Sequence, residues 1–394
     1  MTETYAIRSL ESEHDHTVLF DLIMTTFNTP RERSEIYFQR AGPENFRLLC
    51  RGDRPVGCVA QFPMGQFFGG RSVPMVGIAV VAVTPEHRGR GAGGAMMAQT
   101  IQELAQRRVA LSTLYPATLS IYRRAGYETA GHHYEITLPL CSIDVLPSDL
   151  TLRPVEESDH DRVEDAYRTE AARSNGPLDR SDFLWMRVRQ PPAGRGEEYL
   201  VERDGRIEGA VTFAKVDAET IGYNLAASDI FALTPDAARA VLRFLALHQS
   251  MAESITMFRP PNDPLLAHLK ERGSTARILD MWMTRVVDVE QALTARGYHP
   301  GIEAEIHLDI RDELIPANND RFILRVADGR GRVERGGTGA LTLDIRGLAA
   351  LYTGYRSPAN LAAAGLLNNS ADQSALAAAE SIFTPTDPWM ADRF

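Results

Sequence analysis

Apolar residues fall in short runs and helical stripes from the start of the chain. Tyr5-Ala6-Ile7 reads as a strand. Glu13 to Phe27 carries Val18, Leu19, Leu22, Ile23 and Phe27 near i, i+4 spacing, the stripe of an amphipathic helix. Phe46 to Cys50 and Val56 to Phe62 are apolar runs parted by Gly52-Asp53, which predicts a hairpin. Val73 to Val83 is nearly all apolar, the pattern of a strand covered on both faces. Gly91 to Arg107 sets Met97, Ile101 and Leu104 on one helical face, and Val109 to Tyr115 is a further strand. Strands alternating with helices make this segment α/β or α+β.

The pattern then repeats. Ile7-Arg8-Ser9-Leu10-Glu11 matches Leu152-Arg153-Pro154-Val155-Glu156. Val56-Gly57 matches Ile207-Glu208-Gly209, and Ala82-Val83-Thr84-Pro85-Glu86 matches Ala232-Leu233-Thr234-Pro235-Asp236. The offsets are about 145 to 152 residues. Three matches in order at a stable offset predict two copies of one fold. A third, α+β region follows the strand Ile278 to Val287 and the helix Asp288 to Arg296. It has strands at Glu305 to Ile310, Phe322 to Val326 and Leu341 to Ile345, an Asp328-Gly329 turn, and helices near Leu348 to Tyr352 and Ser357 to Leu366. The tail from Phe383 holds Pro385 and Pro388 and should not be helical. Its Trp389, Met390 and Phe394 predict a docked end rather than a frayed one.

Composition narrows the function. The 394 residues carry 42 Lys and Arg against 52 Asp and Glu, a formal charge of −10. That argues against a nucleic-acid binder, which needs a basic face for phosphates. Only Lys215 and Lys270 are lysines, so the arginine excess is a compositional skew rather than a set of phosphate clamps. Three cysteines rule out a disulfide framework and fit a reducing compartment, with Cys50 and Cys58 as core residues. No run of ~18 apolar residues predicts a membrane span, and the first residues lack a signal-peptide pattern. The expectation is a cytoplasmic multidomain protein.

The sharpest local signal is Val81-Ala82-Val83-Thr84-Pro85-Glu86-His87-Arg88-Gly89-Arg90-Gly91-Ala92-Gly93-Gly94. A buried strand runs through a glycine-rich turn into a helix, where backbone N–H groups and the helix dipole favour a phosphate. Arg88 and Arg90 add charge-assisted contacts. Gly-Lys-Ser/Thr is absent, so this is no Walker loop, and the glycine spacing is not a dinucleotide fingerprint.

Arg88-x-x-Gly91-x-Gly93 after an apolar strand resembles the acetyl-CoA signature of the GNAT superfamily of N-acetyltransferases. Ile121-Tyr122-Arg123-Arg124-Ala125-Gly126-Tyr127 is similar to that superfamily's later tyrosine segment. The whole chain resembles the enhanced intracellular survival (Eis) acetyltransferases. That resemblance implies a catalytic GNAT domain at 1–148, a degenerate GNAT-like domain at 149–290 and a sterol-carrier-protein-like domain at 291–394, α+β throughout. It implies that Val81, Ala82 and Val83 hold the pantetheine arm, that Arg88 to Gly94 hold the pyrophosphate, and that Ala117 and Thr118 lie along acetyl-CoA. Tyr122 is the implied general acid, the carboxylate of Phe394 the general base, and Phe27 a substrate contact. No metal is implied, and His132-His133 reads as a solvated or strand pair. In the second copy, Ala237-Ala238-Arg239-Ala240 replaces the glycines, which predicts one CoA site per chain. The implied acceptor is an amine of a cationic small molecule such as an aminoglycoside, and the implied assembly is a homo-oligomer, a hexamer. Phe27-Asn28-Thr29 lacks the acidic residue of aminoglycoside-acetylating relatives, and Ala117 replaces a polar residue. Polyamine or protein lysine amines, and non-catalytic binding of acyl-CoA or an apolar ligand, stand as alternatives.

Overall fold

The computed structural model describes residues 4–218, 222–368, 373–384 and 386–394, so Pro385 lies outside the described residues. The chain divides into two compact units, one of Met1–Gly131, Trp282–Asp387 and Arg393–Phe394, the other of His132–Met281 and Pro388–Asp392.

The first unit opens with β1 (Tyr5–Ser9), α1 (Glu13–Phe27), α2 (Arg31–Ala41), β2 (Phe46–Arg51), β3 (Arg54–Phe68), β4 (Arg71–Val83), α3 (Ala92–Gln106), β5 (Leu111–Leu114), α4 (Leu119–Arg124) and the start of β6 (Glu128–Pro139). Ser12 Oγ accepts from Asp15 N to start α1, and Asn28 closes it in the left-handed conformation. Helix α2 escapes the sequence pattern because its buried positions are only Ser34, Phe38 and Ala41, a stripe too polar to count. The hairpin of β2 and β3 turns at Gly52-Asp53, with Arg51 opposite Arg54. Strands β1 to β4 pair antiparallel in order, and β4 pairs parallel with β5. Met96, Met97, Ile101 and Leu104 of α3 pack on Leu49, Val56, Val76 and Ile78 of the sheet.

The second unit repeats this route. It holds β7 (Leu152–Pro154), α5 (His160–Ala171), β8 (Leu178–Asp179), α6 (Asp182–Arg189), β9 (Glu197–Arg203), β10 (Arg206–Asp217), β11 (Tyr223–Ala232), α7 (Pro235–Ala246), β12 (Ala252–Met257) and most of β13 (Thr275–Val286). Strands β7, β9, β10 and β11 pair antiparallel in that order, and β11 pairs parallel with β12 after the crossover through α7. The copies share a side-chain detail as well. Arg8 grips Asp15 with both guanidinium nitrogens at 2.8 and 2.7 Å, and Arg153 grips Asp159 at 2.6 and 3.0 Å. Each pair ties the first strand to the start of the first helix. In each, the arginine hydrogen bond holds the aspartate well below the usual carboxylate range against the opposing effect of burial. His133 lies in β6, buried, stacked on Phe258 and bonded to the Met390 carbonyl at 2.8 Å.

The third region continues the first unit with α8 (Val289–Ala295), β14 (Ala304–Arg311), β15 (Arg321–Ala327), β16 (Arg330–Arg335), β17 (Leu341–Asp344), α9 (Ile345–Tyr352), α10 (Pro358–Ala363) and α11 (Gln373–Ile382). Its sheet runs β16-β15-β14-β17. The residues after α11 that are described form no helix. Two glycines join this region to β3. Gly297 N donates to Phe68 O at 3.0 Å, and a Cβ on either Gly69 or Gly297 would overlap the other's carbonyl. Arg285, fully buried, donates to both carboxylate oxygens of Asp312 at 2.8 and 2.7 Å.

Candidate active site

The site forms where β4 outruns β5. Their parallel pairing ends at Ile78 opposite Leu114, and β4 continues through Val81, Ala82 and Val83. Just before, the register between β3 and β4 slips, and Val80 takes φ 52°. A β-branched residue in this conformation costs of order 1–3 kcal/mol and persists only where its surroundings hold it. The bulge re-aims the backbone at the point where the two parallel strands part. Sequence periodicity could not show it, because an extra residue in a continuous apolar run leaves no mark.

After Val83, the Arg88 Nε donates to the Val83 carbonyl at 2.9 Å and folds the loop back on the strand end. His87 is buried and meets the Tyr5 hydroxyl at 3.2 Å, which anchors the turn to β1. Gly89 and Gly91 have φ of 71° and 87°, and no heavy atom lies within 4 Å of a Cβ built on Gly89, Gly91 or Gly94. Gly91 starts α3 with no side-chain cap, so the first-turn amides of Ala92, Gly93 and Gly94 are left to an outside acceptor. A side chain at Gly89, Gly91 or Gly94 would occupy the open space over the first turn of α3. Gly93 has a different task. A Cβ there would lie 2.6 Å from Ile121 Cδ1, so this glycine lets α4 pack on α3. Arg88, Arg90, Ala117 and Thr118 are exposed.

Tyr122 and Tyr127 separate by environment. Tyr127 is fully buried, and its hydroxyl lies 2.7 Å from Ser112 Oγ, which itself donates to Val76 O. Tyr127 therefore donates to Ser112 and is a packing residue. Tyr122, 5% exposed on α4, lies edge-on to Tyr127 with ring centres 6.2 Å apart. Burial pushes its phenol up to about 12.

Phe394 is half-buried. Its ring lies against Gly77 of β4, with Tyr115 at 6.1 Å between ring centres. The Arg393 guanidinium sits 5.1 Å over the Tyr115 ring. Phe394 also lines a cavity of about 190 Å³ with Ile23, Phe27, Thr29, Arg33, Ser34, Tyr37, Ala79 and Val80. The structure thus brings Phe27 and Phe394 to one cavity and adds Thr29, Arg33, Tyr37 and the strained Val80. The residues from α2 were not visible as site residues because α2 itself was not.

Three family descriptions match the chain. An acetyltransferase (GNAT) domain matches residues 6–130, a second acetyltransferase (GNAT) domain matches 176–286, and a sterol carrier protein domain matches 289–391. The N-acetyltransferase Eis of Mycobacterium tuberculosis is 30% identical over 320 residues, 76% of each chain. The chain belongs to the Eis family of N-acetyltransferases. A GCN5-related N-acetyltransferase from Anabaena variabilis is 36% identical, with a TM-score of 0.93 over 99% of this chain and 100% of that one. Eis1 from Mycobacterium abscessus shares the fold, with a TM-score of 0.80 at 23% identity over 99% of this chain and 100% of that one.

As an Eis-family chain it carries tandem GNAT domains followed by a sterol-carrier-protein-like domain, and the two GNAT copies differ at the helix start. Thr234 caps α7 by accepting from Ala237 N at 3.2 Å, and its hydroxyl donates to Glu208 at 2.6 Å. Asp236 follows in the first turn, paired with Arg203 and Arg239. In α7, Pro235 offers no amide hydrogen, the Ala237 amide is already taken by Thr234, and a carboxylate stands beside the helix start.

Proposed function

We propose that the N-terminal GNAT domain transfers an acetyl group from acetyl-CoA to an amine of a small molecule. Val81, Ala82 and Val83 lie along the pantetheine arm, and Arg88 to Gly94 hold the pyrophosphate, with Ala117 and Thr118 beside acetyl-CoA. The observation that carries this reading is the uncapped start of α3 beneath Gly89 and Gly91, set against the self-capped start of α7. When bound, acetyl-CoA supplies the thioester that the amine attacks. The terminal carboxylate of Phe394 takes a proton from the ammonium, leaving a nucleophilic nitrogen. The Tyr122 phenol stays protonated across the physiological range and donates to the departing sulfur. Burial disfavours a thiolate beside it for the same reason that it disfavours phenolate, which narrows the gap between the two acids. No residue role here needs a metal.

An aminoglycoside is the acceptor that the family resemblance implies, and Phe27 is its expected contact. The terminal carboxylate favours a cation, but among the described residues no acidic side chain lines the cavity at Phe27. Polyamine and lysine amines stand on the same footing. A cytoplasmic homo-oligomer, a hexamer, completes the reading by resemblance.

The test is CoA release from acetyl-CoA with aminoglycosides, polyamines and lysine peptides, comparing the native end with a variant extended past Phe394. Turnover lost on extension, with acetyl-CoA binding kept, supports the terminal base. Equal turnover in both forms overturns that role. Acetyl-CoA binding with no turnover of any amine supports the non-catalytic alternative.

A further inference from the structure

The cavity at Phe27 has a lining that separates acceptor classes. Three aromatic side chains face it, Phe27, Tyr37 and Phe394, and Phe27 is 49% exposed although large and apolar. An aromatic ring left this open at a cavity mouth marks a place where an apolar body comes to rest. Among the described residues, Arg33 is the one ionised side chain on the lining. No ion pair holds it among the described residues, whereas its neighbour Arg31 is tied to Glu35 at 2.7 Å and lies over Phe20. Arg33 is exposed at the rim, where its charge costs little to keep and is free for a ligand. The Thr29 hydroxyl lines the same cavity, is shielded from water and has no hydrogen-bond partner. A hydroxyl placed here can give a hydrogen bond to a ligand's polar atom or accept one from it. At about 190 Å³ the cavity is smaller than the ~300–1,000 Å³ typical for drug-sized ligands.

A polycation fits this lining poorly, because the terminal carboxylate of Phe394 meets one ammonium while the further positive charges come beside Arg33 with no side-chain carboxylate to meet them. A compact molecule with one amine, an aromatic or branched apolar body and an anionic group meets every feature. The body packs on Phe27 and Tyr37, the anion pairs with Arg33, and the amine reaches the bulge at Val80.

Resting on the acetyltransferase reading above, we infer that the acceptor is a small aromatic or branched amine bearing a carboxylate or similar acid, selected through Arg33. In the reaction the amine nitrogen forms a bond to the acetyl carbon of acetyl-CoA, the carbon–sulfur bond breaks, the sulfur takes a proton, and the amine loses one. The acid is not consumed and acts only in recognition.

The experiment compares matched amines with and without the acid: tyrosine with tyramine, tryptophan with tryptamine, and 4-(aminomethyl)benzoate with benzylamine. Spermidine and an aminoglycoside serve as polycations. We expect at least one acid-bearing member to exceed its partner in kcat/KM by about fivefold, the size of one exposed ion pair. The preference should vanish in R33A, return largely in R33K, and reverse toward the polycations in R33E. Acetyl-CoA affinity should stay constant in all three variants, which separates selection from folding. Equal or better turnover of every acid-free partner overturns the inference while leaving the acetyltransferase reading intact. So does a preference that survives R33E. Turnover of no amine at all overturns both.

Discussion

The ring of Phe394 rests on the backbone of Gly77, so close that a Cβ on Gly77 would lie 2.7 Å from Cε2 and 2.9 Å from Cδ2 of that ring. Gly77 sits mid-strand, paired with Phe62 on one side and Thr113 on the other, where its conformation is one that any residue adopts. It is glycine for the sake of the ring. G77A should displace Phe394 and lower turnover about tenfold or more, since an angstrom of misplacement at a reacting group has an effect of that order. Acetyl-CoA affinity should hold, as should the melting temperature to within a few degrees. Steady-state kinetics beside calorimetric titration would check this, and unchanged kcat would detach the ring from the reaction.

Tyr122 makes two predictions from one environment. Y122F should lower kcat by ~10²-fold or more if the phenol is the acid, with little change in KM. Y127F should instead act on stability, by about 1 kcal/mol for the lost hydrogen bond to Ser112. With the Tyr122 phenol pushed up to about 12, its loss of a proton cannot cause a fall in rate between pH 8 and 10. A basic limb in that window that disappears in Y122F would contradict the burial argument.

One equivalent of CoA should bind per chain. Replacing Gly91 by valine puts a β-branched residue at φ 87° and a side chain in the open space over the first turn of α3, and should weaken CoA at least tenfold. T234A leaves Glu208 and Asp236 beside the start of α7, so it should not create a second site. Isothermal titration of the three proteins gives the stoichiometry directly. A value near two for the wild type would show that α7 binds despite its cap.

Acid should act on both copies of the fold through the same pair. Asp15 and Asp159 have folded pKa values below their unfolded ones, so each contributes stability that is complete above the ordinary carboxylate range. It is lost as the pH falls below about 4 and toward the folded value. D15N should cost about 1–2 kcal/mol at pH 7, discounted because Arg8 is partly exposed. The gap between D15N and the wild type in urea melts should shrink steadily from pH 5 to pH 3. A gap that widens in acid would reverse the sign of the argument.

Much of this fold is legible in the chain, and the reason is local. The hairpin at Gly52-Asp53, the helix Glu13 to Phe27 and the strand–turn–helix at Val81 to Gly94 follow from neighbours in sequence. So does the repeat, since Arg8 and Arg153 stand in corresponding strands and make the same fork. What stayed hidden depends on distance along the chain or on geometry without a residue signature. The bulge at Val80 comes from a register slip against β3, and the role of Gly93 comes from Ile121 on another helix. Helix α2, which brings Arg33 and Tyr37 to the cavity, buries too narrow a stripe for periodicity to reveal. The tail shows both sides: its apolar residues announced docking, but Gly77 as the seat of Phe394 needed coordinates.

The backbone contact between Gly69 and Gly297 bears on how such chains can be recombined. Two main chains meet there with no side chain between them, and neither partner tolerates so much as a methyl group. A third region grafted from a relative would seat on β3 only if glycine stood on both sides of the junction. These two positions therefore act as one unit, and a crossover that leaves a residue other than glycine at either should yield chimeras that fail at assembly before chemistry is ever tested.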